Sequence, residues 1–376
     1  MPYDDSILKE LSGYFEAKEP GPRERADAWA TAIGLQKVDG LSPSRYLVSL
    51  AKRHIEGEIT QRDAHRLLKE YYEAHDEQGD VDPALEEPDK VSERIVALIN
   101  EPAFAFSPET LKSIHRRLFR GVLPGAGDYR TTNLRKHEWV LNEDSVTYAA
   151  HEDIAALLKS DFRDESEFDY AGRPAEEIIP HFASFVACIW QRHPFREGNT
   201  RTTAVFAVKY LRQLGYAVQN NMFAENSWYF RNALVRANYM GLGRGAGRTT
   251  AYLVAFFRNL LLGEKNELKN RYLRIGCDRT PPIFASKAVR KGGQKKAVRK
   301  SGGKKAGEKT SERILAYLAK HPKATQAELV ATFSLARSTV QKHLANLKSV
   351  RCLRRVGPDK GGHWAVDAPF GRQVFA

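Results

Sequence analysis

The sequence predicts a mainly α protein: a helical bundle with one β-hairpin, followed by a small C-terminal α+β winged helix-turn-helix. Three observations predict it. Apolar residues recur at helical spacing through most of residues 46–272. A single alternating stretch, residues 138–148, breaks that period. A lysine- and glycine-rich segment then separates this body from a C-terminal stretch with its own pattern. A chain of 376 residues, 42% hydrophobic and 10% aromatic, has apolar material for two or three cores.

Taken in order, residues 46–51 and 64–72 carry apolar positions on one helical face, and 90–98 is a further helix. Residues 107–118 follow, with Ser107 able to cap their start. The turn-rich LPGAGDYRTTN leads into the hairpin at 138–148, whose centre Asn142-Glu143-Asp144 suits a turn. Helical patterns resume at 151–158 and 178–190, with two or three more helices to about residue 272.

The segment 287–309 holds eight Lys, two Arg and one Glu, which is +9 of the chain's formal +13. It contains the tandem KAVRKGG and KAVRKSGG. Like charges repel and glycine adds entropy, so residues 284–309 are expected to form a disordered basic linker. Beyond it, ERILAYLAKHP is a helix stopped by Pro322. TQAELVATF opens with Thr325 and Glu328 at capping-box spacing, and ARSTVQKHLANLK is a third helix. LRRVGPDKGGHWAV reads as two short strands, completing a winged helix-turn-helix over 310–376.

The opening residues contain no apolar stretch fit for a signal peptide, and no run is long enough to cross a bilayer. A soluble cytoplasmic protein with no membrane partner is expected. Cys188, Cys277 and Cys352 lie far apart without metal-ligand spacing, so reduced thiols are expected.

The chemistry concentrates in HPFREGNTR, residues 193–201. One helix ends near Trp190 and another starts near Asn199, so the loop sits at a helix N-terminus that favours an anion. Gly198 lets the backbone approach a ligand closely. Glu197 is a hard oxygen ligand of the type Mg²⁺ takes, Arg201 can fork onto phosphate oxygens, and His193 can act as a general base. Together these groups describe a phosphate-transfer site. A capped interhelical turn with a satisfied histidine is the bland alternative for any one of them.

This stretch resembles the Fic motif, HxFx(D/E)GNGRxxR, of protein adenylyltransferases. The resemblance spans roughly residues 46–274, including GDYRTTN and the hairpin. It implies a Fic/Fido helical bundle, with a catalytic core at 91–275 and an N-terminal helical region at 1–90. It implies transfer of AMP from Mg²⁺-ATP to a Tyr, Thr or Ser hydroxyl of a target protein or of the chain itself. His193 would be the base and Glu197 the metal ligand. Gly198, Asn199, Thr200 and Arg201 would hold phosphates, and Tyr229 and Asn238 would line base and ribose. Val146, Thr147 and Tyr148 would belong to a flap on which a target segment adds as a strand.

Two positions depart from the motif. Thr200 replaces its third Gly and Ala204 its second Arg. A hydroxyl at a helix start can itself bond phosphate; the missing arginine leaves room for another pose or another donor, such as UTP or a phosphocholine carrier. Upstream, LAKRHIEGEIT resembles the family's inhibitory helix, which makes Glu56 the expected brake, acting on the terminal phosphate or on Arg201. In the C-terminal module, Arg337, Ser338, Thr339, Gln341 and Lys342 are expected on an exposed helix face suited to DNA, and protein docking is the alternative. The functional alternative to an enzyme is a DNA-binding regulator whose Fic domain senses nucleotide or is inactive.

Overall fold

The computed structural model describes residues 6–16, 20–78, 82–218, 221–241, 247–277, 303–333, 335–349, 353–356 and 362–366. The chain divides into two compact units, Met1–Ala285 and Ser286–Ala376.

The first unit opens with α1 (Ser6–Ser12), α2 (Pro20–Gln36), α3 (Arg45–Glu56), α4 (Gln61–Gln78) and α5 (Pro83–Asn100). Then come α6 (Pro108–Phe119), α7 (Ile154–Ser166), α8 (Ala175–Arg192), α9 (Asn199–Gln213), α10 (Asn221–Asn238) and α11 (Ala251–Leu262). The expected capping of α6 is present: the Ser107 hydroxyl accepts from Thr110 N–H.

Helix α2 escapes the periodicity reading. It packs against α5, α10 and α3, so Ala28–Ala30, Ala32, Ile33 and Leu35 are buried on several sides and no polar stripe marks it. Burying Trp29, Ile33 and Leu35 contributes roughly 1.5–3 kcal/mol each. Gly34 is required at the α2–α10 crossing, because a Cβ there would stand 2.4 Å from the Ala224 backbone.

Polar groups fix the helices that carry the site. Arg192, at the end of α8, makes a buried two-pronged pair with Asp161 of α7 at 2.7 and 2.9 Å. From α9, Lys209 reaches the carbonyls of Leu98 and Glu101 at the end of α5, satisfying orphan acceptors there.

The expected hairpin at 138–148 is not one. It closes with a single bridge, Glu138 to Asp144, around a 3-10 turn at Trp139–Leu141. Val140 and Leu141 are adjacent yet both buried, which alternation along a strand forbids. Asn142 and Glu143 then turn the chain at positive φ.

In the second unit, α12 (Gly303–Lys320), α13 (Gln326–Phe333) and α14 (Arg337–Ser349) precede β1 (Arg354–Val356) and β2 (His363–Ala365), which pair antiparallel. Helix α12 starts inside the expected linker, so residues 303–309 are helical; residues 284–302 lie outside the described residues. The capping box is present: Glu328 N–H donates to Thr325 Oγ1, and Thr325 N–H donates to Glu328 Oε2. Ile314, Leu318, Leu329, Val340, Leu344, Leu347 and Trp364 are buried in this unit. Among the described residues no helix is long and apolar enough to cross a membrane.

Candidate active site at the α8–α9 loop

Helix α8 ends because His193 adopts φ 45°, ψ 56°, and Pro194 cannot continue the helix. The turn is then closed from within. Asn199 accepts from Phe195 N–H at 3.0 Å and donates back to Phe195 O at 2.7 Å. Gly198 caps α9 at φ 70°, and a Cβ there would stand 2.4 Å from the Phe119 ring, so both conformation and space demand glycine. No side chain caps the start of α9.

Two residues that sequence reasoning missed hold this turn. Arg130, in the GDYRTTN segment, donates to the carbonyls of His193, Thr132, Ala149 and Arg192, while its own N–H donates to Pro194 O. His115 of α6 stacks on Phe195 with centroids 3.8 Å apart. Its Nδ1 accepts from Gly127 N–H at 2.8 Å, which leaves Nε2 to donate to Glu197 O at 3.1 Å. Burial drives the His115 pKa down to about 4, so the ring stays neutral. His115 carries no local sequence signal, and GDYRTTN marks the segment of Arg130 without marking the arginine's reach to the α8–α9 junction.

The His193 ring is 3% exposed, packed against Tyr148 at 4.2 Å and Trp190 at 5.4 Å. Neither ring nitrogen has a hydrogen-bond partner among the described residues. Burial, and then the charges of Lys136 and Arg130, hold it well below an ordinary histidine, so the ring is neutral. Unpaired polar atoms kept from water cost on the order of 1–3 kcal/mol each, and folded proteins rarely retain them without another demand.

The remaining predicted residues divide sharply. Glu197 stands 54% exposed, its carboxylate 3.2 Å from Lys136 Nζ. Among the described residues no three His, Cys, Asp or Glu gather as a metal site. A lone exposed carboxylate fits Mg²⁺ that arrives on phosphates and keeps its waters, rather than an all-protein cage.

Arg201 does not point to open space. It is 2% exposed, paired with Asp39 at 2.8 Å and Glu87 at 2.7 Å, and bonded to Gln36. Thr200 does not face a free anion site either: its hydroxyl accepts from Trp190 Nε1 at 3.0 Å. Tyr229 is buried with its hydroxyl on Tyr252 O, and Asn238 donates to Ala187 O and Leu234 O. Both are core residues here, because each polar tip already has a backbone partner. Glu56 is not a partner of Arg201; at the end of α3 it receives the Tyr14 hydroxyl. In the expected flap, Val146 and Tyr148 are buried, and only Thr147 is exposed, its carbonyl held by Gln191. A cleft of about 430 Å³ elsewhere, lined by Gln61, His65 and Arg94 among others, shares none of these residues.

Residues 105–211 match the Fic/DOC family model, and residues 308–349 match a model described as winged helix-turn-helix DNA-binding. The chain therefore carries a Fic/DOC domain followed by a winged helix-turn-helix domain. A probable protein adenylyltransferase, y4lH of Sinorhizobium fredii (strain NBRC 101917 / NGR234), is 30% identical over 128 residues, which is 34% of this chain. The match spans 62% of that protein, somewhat under two thirds of its length. Among solved structures, BepC of Bartonella tribocorum with bound AMPPNP is 19% identical, covering 46% of this chain and 83% of its own at a TM-score of 0.37. A Fic family protein from Desulfovibrio desulfuricans G20 is 12% identical, covering 96% and 94% at a TM-score of 0.42.

Proposed function

We propose that this chain transfers AMP from Mg²⁺-ATP to a Tyr, Thr or Ser hydroxyl of a protein, itself included. The observation that carries the reading is His193, a buried, neutral imidazole with both nitrogens unpaired among the described residues, at the end of α8 where the loop to α9 begins. A ring nitrogen takes the hydroxyl proton. The hydroxyl oxygen bonds to the α-phosphorus, the bond from that phosphorus to the bridging oxygen breaks, and pyrophosphate leaves. Glu197 would hold the magnesium ion, which supplies positive charge against the phosphates. The relative named as a probable adenylyltransferase agrees with this reaction.

Any restraint on the site works through Asp39 and Glu87 rather than Glu56, since those two carboxylates neutralise the arginine meant for phosphate. In the C-terminal domain, α14 exposes Arg337, Ser338, Gln341 and Lys342 and half-exposes Thr339, a face suited to a DNA groove and its phosphates. DNA is the partner proposed for it.

Incubating the full chain with α-labelled ATP and Mg²⁺ tests the reaction. Labelled protein is expected, reduced by at least about a hundredfold in His193→Ala. Equal labelling of the two would overturn it. In the same assay Glu56→Gly is expected to change nothing, and the double change Asp39→Asn, Glu87→Gln to raise labelling.

A further inference from the structure

Three of the cations near the α8–α9 loop are held by partners that fix them. Arg130 is bound to four backbone carbonyls. Arg201 is held by Asp39, Glu87 and Gln36. Arg231 makes a two-pronged pair with the buried Glu138. Lys136 is held more loosely. Its ammonium has one partner among the described residues, the exposed Glu197 carboxylate at 3.2 Å, and its own side chain is 31% exposed. Its backbone is anchored, with its N–H donating to Ser145 Oγ beside the Glu138–Asp144 bridge. It is also the foremost charge acting on the His193 ring.

We infer that Lys136 binds the outer phosphates of the nucleotide, exchanging its contact with Glu197 for them. This rests on the adenylyltransferase reading above and names a residue that the motif does not contain. The chemistry suits a lysine: a point charge on a flexible stem swings from a carboxylate to a phosphate without a fixed fork to realign. An exposed Lys–Glu pair is worth little to folding. Removing the ammonium therefore leaves the fold in place, and any effect on nucleotide reports contact rather than collapse.

The test is calorimetric binding of Mg²⁺-AMPPNP and of AMP to the full chain, to Lys136→Met and to Lys136→Arg, with thermal unfolding of each. Lys136→Met is expected to weaken AMPPNP by roughly tenfold or more, leave AMP binding unchanged and unfold at the parent temperature. Lys136→Arg should retain most of the affinity. Equal AMPPNP binding by parent and Lys136→Met would overturn this inference alone, as would equal losses for AMP and AMPPNP. No AMPPNP binding by the parent would overturn it together with the reading it rests on.

Discussion

His115 and His193 serve the same turn from different helices, and each ring is 3% exposed. Burial pushes both toward the neutral form. They differ in one thing. His115 has both nitrogens occupied, one by Gly127 N–H and one by the Glu197 carbonyl, whereas His193 has neither. Equal burial with opposite satisfaction separates a brace from a reagent. The braced ring has no spare nitrogen, and the unbraced ring keeps both nitrogens for the proton transfer proposed above.

The largest effect that would break this comparison is acid. A buried histidine with a depressed pKa gives stability that is complete above its unfolded value of 6.5 and is lost as pH falls toward its folded value. His54 of α3, buried and accepting at Nδ1 from Trp29 Nε1, falls to about 4 as His115 does, so the window is pH 6.5 to 4, with roughly 3 kcal/mol at stake for each by its lower end. Asp89, raised to about 6 by burial, has the opposite sign, stabilising at low pH and opposing the loss. Urea unfolding at stepped pH should show midpoints dropping through that window. A flat profile would mean these rings are not held neutral.

Next in size, His115→Ala should cost on the order of 3 kcal/mol, from the lost stack on Phe195 and two backbone groups left unpaired. Smallest is the stability change in His193→Ala, expected within about 1 kcal/mol because lost packing against Tyr148 is offset by removing two dry, unbonded atoms. Urea midpoints at pH 7.5 measure both. If the His193 substitution proved the costlier one, the ring would be a packing residue and the distinction would fail.

What could be read in the sequence was whatever acts locally. The loop HPFREGN, the helix starting at Asn199, the Ser107 cap and the Thr325–Glu328 box all follow from neighbours within a few residues. Helix α2 was hidden because it is covered on several sides, which erases the amphipathic period. The 138–148 segment misled because two adjacent apolar residues both turn inward. The fate of Arg201 could not be foreseen, since its acidic partners at 39 and 87 lie more than a hundred residues away. The main partners of His115 and Arg130, Glu197 and the Arg192–His193 junction, lie some sixty to eighty residues away and are hidden in the same way.

Arg130 has one further consequence. A single planar head holds carbonyls from three stretches of chain: the GDYRTTN segment, the strip ending at Ala149, and the junction of Arg192 with His193. Those stretches are tied together by one side chain. A shift of the backbone at Ala149 would strain the bond at His193 O through that shared head. A lysine at 130, with one nitrogen instead of three, would leave the hinge slack even with its charge intact.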